Sequence, residues 1–437
     1  MRVGGLGSGV VGKVLAASHA RGQGTKTRVS GLRCTIFAAV LLGGCADRDA
    51  PLEVRAVSDS AGVEVVTLRF GDDGPPSLHR VSGPPVLEIG LAEGEPAYEL
   101  SQVVGAATLP KGGVAVANRG TSEIRFFGPD GAHGGSAGRS GEGPGEFRRI
   151  HWIAVHHDTV LVYDWSLGRV TVLDGSGGLV STERTLVPPL TNPAGLLGGT
   201  SKAVHWDWVG PEREIPGVRP STVEIRISEW GVEGYEAVEQ IPFVEEAYVE
   251  FRGRVTRAFR PLAPQADVVA RGAHVFALTW SEPGSIRVYD AEGSLVRVIR
   301  ISVPDQAISQ EDVDGWIAGW FARFDTGMPE VEEWWRHGFG ELRPPAHLPT
   351  FRSLLTDTEG NVCAERYPLR LDAPTVYWCF TPDGHFLRAL ELPAGLVREG
   401  PFPFSDVRPE IGPDHVLGVW EDELGVQRVR RFHLEQP

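Results

Sequence analysis

The feature that most constrains this chain is a strand–turn–strand unit that returns, in stronger and weaker copies, from about residue 103 to the C-terminus. Periodicity of this kind fixes an architecture before any local motif is weighed. One copy runs Val114–Asn118, a turn, 124–127 and then Pro129-Asp130-Gly131; the next runs 160–164 and 169–172 into a glycine turn. Looser copies follow at 203–207 with 223–227, at 275–278 with 286–289, at 362–364 with 376–378, and at 416–419 with 426–429. Further strands are predicted ahead of these pairs, at 103–109, 150–155 and 265–270. The recurring turn glycines (Gly131, Gly177, Gly293, Gly384) supply the positive φ that returns the outer strand.

Six such copies predict an all-β fold. Four-stranded sheets set radially leave few bare edges, which is how repeats of this length close into a six-bladed β-propeller. The sixth copy runs out of chain after its third strand, near Phe432, so an N-terminal strand is expected to complete it. The segment 62–70 (GVEVVTLRF) is spare and reads as that strand. The predicted domain is therefore 62–437.

Ahead of it lies an export segment. The first 44 residues hold six basic side chains and no acidic one; the remaining 36 Lys and Arg face 57 Asp and Glu, a balance of −21. That surface disfavours nucleic acid and anionic membranes, and is equally what solubility requires. Arg28 and Arg33 flank a short apolar core at 35–42, too short to span a bilayer, so 1–44 reads as a signal peptide. Leu42-Gly43-Gly44-Cys45 has the form of a lipobox, which predicts a lipid on Cys45, a tether over 45–61, and a place in the cell envelope. The basic stretch is long for such a signal, and a true start at Val29 would explain it.

A helical insertion is expected at about 305–340. Ser309 and Asp312 resemble a capping box, and Val313, Trp316, Ile317, Trp320 and Phe321 fall on one helical face. Pro329 opens a second helix bearing Val331, Trp334 and Trp335. Two roles fit the pair: packing on a sheet edge, or a lid over one mouth of a channel.

The run GEGPGEF at 141–147, with the strand 124–127, resembles the NHL-type repeat of six-bladed propellers. The stretches 285–300 and 354–367 fit the same pattern, and the whole body is similar to bacterial propeller lipoproteins of that group, although Cys363 stands where an aromatic is usual. The resemblance implies a fold and hardly any activity. GEGPGEF itself is no phosphate loop, lacking a Gly-Lys-Ser/Thr end; Phe147 is expected to wedge between blades.

Chemistry-bearing residues form several sets. Asn118, Asp164, Asp207 and Glu365 lie at or near the ends of equivalent strands and form a candidate ring for Ca²⁺ or Zn²⁺, as in propeller hydrolases; turn capping and pairing with Arg125 or Arg169 would explain them equally. His151, His156 and His157 cluster, but on a strand their spacing does not make a zinc pair. Arg148, Arg149, His151, Trp152 and Arg352 are the candidate ligand surface at the channel mouth. Cys363 and Cys379 are positioned either for a disulfide or as two separate thiols. A complete fold signal without a complete catalytic set predicts a lipid-anchored binding or scaffold module, its ligand a protein, peptide or small molecule, with no cofactor. A metal-dependent, lactonase-like hydrolase or a lyase is the alternative.

Overall fold

A computed structural model describes residues 54–434 apart from 72–73, 76–77, 82, 185–191, 198–201, 210–215, 231, 259, 280, 283, 324–327 and 398–406. The export segment, Cys45 and residues 46–53 of the expected tether lie outside the described residues. The last part of that tether is corrected: Val54–Ser60 is a strand, hairpinned antiparallel to Val63–Arg69.

The fold is mostly β, with two α-helices among the described residues. Apolar runs separated by turns pair as consecutive antiparallel meanders. Meander I comprises Val103–Thr108, Val114–Asn118, Glu123–Phe127 and His133–Ala137. Meander II comprises Ile150–His156, Thr159–Asp164, Arg169–Asp174 and Leu179–Arg184. Meander III has Asn192–Leu197, Lys202–Val209, Gly217–Glu229 and Glu236–Phe251, with Arg254–Ala258 added at its edge. Meander IV has Asp267–Arg271, His274–Leu278, Ser285–Tyr289 and Leu295–Ser302. Meander V has Phe351–Thr356, Val362–Arg366, Thr375–Phe380 and Phe386–Leu392. Meander VI has Glu410–Ile411, His415–Glu421 and Gln427–His433.

The fourth strand of meander VI comes from the other end of the chain, but not from 62–70. Leu87–Ile89 pairs antiparallel with Gln427–His433, while Val63–Arg69 runs parallel to Leu295–Ser302 on the outside of meander IV. The longer apolar run makes the better strand by composition, yet the pairing partner decides where it sits.

Adjacent meanders share apolar cores in sequence order. Val104, Ile124 and Phe147 pack with Ile150 and Val160 between I and II, and Tyr163 meets Leu196 between II and III. Clusters of the same kind join III to IV, IV to V and V to VI. A last one brings Leu417, Val419 and Val429 of VI against Val103, Val116 and Phe127 of I. Packing on both faces explains why the second strand of meander I, Val114–Asn118, is buried at every position and built from Val, Ala and one Asn.

Phe147 is fully buried, and the loop before it is held from below: the Arg169 guanidinium donates to the carbonyls of Glu142, Gly143 and Glu146 at 2.8, 2.7 and 2.5 Å. Arg125 does the same for Pro96, Ala97 and Glu99. Cys363 and Cys379 stand directly opposite in register on neighbouring strands of meander V and form a buried disulfide, S–S 2.04 Å.

The insertion between IV and V forms helices α1 (Gln310–Arg323) and α2 (Pro329–Glu341). The Asp312 N–H donates to Ser309 Oγ, and the Ser309 N–H donates back to Asp312 Oδ2 at 2.8 Å, a reciprocal cap. Val313, Trp316, Trp335 and Phe339 bury their apolar face on Leu262 and Tyr367. His337 Nε2 of α2 contacts the Glu250 carbonyl at 2.9 Å, so the helices also meet the long hairpin of meander III.

Candidate functional site

The first strands of meanders I to IV carry small side chains where they line a common space: Gly105, Ala106 and Ala107; Ala154; Ala194 and Gly195; Ala270. Small residues leave room where strands converge, and the result is a cavity of about 410 Å³ whose wall draws on the first strand or its flank in all the meanders. Gly195 allows the tightest approach. Its φ is +142°, and a Cβ there would lie 2.0 Å from the Ala270 carbonyl oxygen, where III and IV make their one parallel contact. No residue of α1 or α2 lines this cavity.

The beginnings of the first strands are closed by carboxylates already in use. Asp164 Oδ2 accepts from the Arg148 and Arg149 N–H groups at 2.7 and 2.9 Å, and its Oδ1 accepts from Leu167 N–H at 2.9 Å. Asn118 accepts from Ser101 N–H at 2.8 Å and donates to Thr121 Oγ1. Asp207 takes the Trp208 N–H and an Arg226 Nη1 at 2.6 Å. Glu365 accepts from Ser353 Oγ at 2.7 Å and pairs with Arg352 at 3.4 Å. The four expected metal ligands thus serve their own meanders. They do not fit a shared ion: among the described residues no three His, Cys, Asp or Glu side chains are grouped as a metal would need.

Asp267, which the sequence did not single out, does the most at this end. Its Oδ1 takes the Val268 N–H, its Oδ2 takes the Leu354 N–H of meander V at 2.7 Å, and Arg408 from the approach to meander VI donates to both oxygens at 2.9 and 3.3 Å. One buried carboxylate therefore ties three meanders together.

At the far ends of the first strands the polar groups differ. Glu410 accepts from Thr108 N–H at 3.2 Å and bonds His415 Nε2 at 3.1 Å, while His415 Nδ1 meets Asp414 at 2.8 Å. The hydrogen bond with Glu410 raises the His415 pKa. Burial alone would raise Glu410, but the bonds from His415 and Thr108 outweigh it and hold its carboxyl below the usual range. The same cavity wall holds His156 and Arg271. The His156 pKa is lowered by burial, then by His157, whose ring lies 4.2 Å away, and by Arg271. Off the cavity, His205 is buried between II and III; burial first, then Arg226, takes its pKa down to about 4.

Of the expected ligand surface, His151 and Trp152 line the cavity and Arg148, Arg149 and Arg352 do not. Arg148 pairs with Glu142 at 2.6 Å, Arg149 lies 4.3 Å over the Trp165 ring, and Arg352 is held by Glu365. The cations on the wall are instead Arg271 and Arg408. The only local signal for Arg271 is its place at a strand end before Gly272, which is also the signature of an ordinary turn.

No protein-family model matches the chain, and no curated protein does. Among solved structures, the chain is similar to a member of the DUF4221 family from Bacteroides vulgatus (9% identity, TM-score 0.47, covering 81% of this chain and 98% of that one). It is also similar to a Bacteroides fragilis protein described as exported (9%, 0.41, 82% and 99%). A third is regucalcin, a calcium-binding protein from Agrobacterium tumefaciens (10%, 0.31, 83% and 97%). Propeller-like folds recur among these structures, and at such identities the likeness says nothing of activity. Among the described residues no helix is long and apolar enough to cross a membrane.

Proposed function

We propose that this chain is an exported, six-bladed β-propeller of NHL type, tethered by a lipid on Cys45, that acts as a binding module for a small molecule held in its central cavity. Meanders I to VI are its blades, and Leu87–Ile89 is the strand that closes the ring. One observation carries the reading: the first strand or its flank in every meander contributes to the wall of the same cavity of about 410 Å³, a size suited to a metabolite. Export is supported by the basic and apolar segment before Cys45 and by a disulfide, which an oxidising compartment favours.

Native mass spectrometry of the exported protein tests this. The wild type is expected to retain a small molecule, and Ala154→Trp, which fills the cavity, is expected to release it with an unchanged melting profile. A molecule retained equally by Ala154→Trp would show that binding lies elsewhere.

A further inference from the structure

Of the charged side chains on the cavity wall, Arg271 and Glu359 make no ion pair among the described residues. Arg408 is answered by Asp267, and Glu410 by His415. Glu359 is exposed on the turn that follows the first strand of meander V. Arg271 has neither a hydrogen-bond nor an ion-pair partner among the described residues. This departs from how the chain places other half-buried guanidinium groups: Arg226 pairs with Asp207 and Glu224, and Arg287 with Glu239 and Glu282.

The neighbouring histidines do not answer that charge. His156 stands in the same wall with His157 against it, and both Arg271 and His157 disfavour its protonation. Asp158, on the same turn as the two histidines, makes no ion pair. A half-buried guanidinium on a cavity wall with no acceptor of its own has its donors available to a counter-charge from outside. The body carries a net −21 beyond its export segment, yet among the described residues no carboxylate pairs with Arg271, which leaves its guanidinium open to a foreign anion.

Resting on the reading of the cavity as a ligand site, we propose that its ligand carries a compact anionic group, a carboxylate or a phosphate, bound between Arg271 and His156. The body of the ligand then extends along the cavity toward Trp152 and Trp206, whose side chains offer an apolar wall. A guanidinium suits both anions because its planar fork donates two parallel hydrogen bonds, and a neutral imidazole adds a third donor.

Isothermal titration of the purified protein with inorganic phosphate, benzoate and neutral benzamide decides the matter. At least one of the two anions should bind, which of them doing so separating a phosphate site from a carboxylate site. Its affinity should fall about tenfold or more in Arg271→Gln, fall by less in Arg271→Lys, which keeps the charge and loses the fork, and weaken as salt is added. Unchanged affinity in Arg271→Gln would overturn the proposal, as would failure of both anions to bind up to about 10 mM. Benzamide binding as tightly as benzoate, and lost in Ala154→Trp, would sink the anion site while leaving the cavity as a ligand site.

Discussion

The two ends of the first strands use polar residues in opposite ways. Where these strands begin, Asn118, Asp164, Asp207, Asp267 and Glu365 are all engaged with backbone N–H groups, hydroxyls or arginines of the framework. Where the strands end, Glu410 and His415 pair with each other, while Arg271 and His156 face the cavity and Arg271 has no hydrogen-bond or ion-pair partner among the described residues. Position along a repeat therefore does not mark function. A ring of acidic strand ends looks like a metal site in sequence, yet it behaves as mortar; the functional candidate is the residue that the framework leaves alone.

This contrast can be broken at either end. The largest effect is expected from Asp267→Ala, which removes the acceptor of the Leu354 N–H and the carboxylate that Arg408 bonds through both oxygens. It should cost about 3–5 kcal/mol in denaturant unfolding, and a loss below 1 kcal/mol would refute its role as a three-way tie. Next is Glu410→Gln, with an expected cost of about 2 kcal/mol that depends on pH. The folded Glu410 pKa is depressed, so its contribution is complete above the unfolded value of 4.5 and lost as pH falls through the folded one. The folded His415 pKa is raised, so its contribution is complete below 6.5 and lost as pH rises through the folded value. The variant should therefore fall furthest behind wild type between these limits, and a gap that stays constant across pH would contradict the pairing. The smallest effect is expected for Arg271→Gln, within about 0.5 kcal/mol of wild type. A cost comparable to Asp267→Ala would erase the difference between the two ends.

The repeat was legible because its second and third strands carry dense apolar runs closed by Asp-Gly or similar turns, as at Val114–Asn118 and Thr159–Asp164. The helices were legible for the same kind of reason: Val313, Trp316 and Trp320 repeat at helical spacing, and Ser309 caps them. Meander III was only half readable. Its strands Gly217–Glu229 and Glu236–Phe251 run far beyond the apolar core at 223–227, carrying charged side chains that look like loop. The closing strand was misassigned because three residues, Leu87–Ile89, hold too little pattern to compete with 62–70; only the partner strand reveals them. Arg271 was invisible for a deeper reason. Being unpaired is a property of its surroundings, and nothing in the residues beside it records which charges the fold brings near.

The seam between Leu87–Ile89 and Gln427–His433 sets an order of events. Glu88 and Arg430, which bond across it at 2.7 Å, are separated by 342 residues. A ribosome must have made nearly the whole polypeptide before that latch can shut, so an early-made strand waits for the last one described. Contacts this remote along a chain form slowly. Until then the edge of Gln427–His433 stays bare to whatever chaperone or neighbour finds it first.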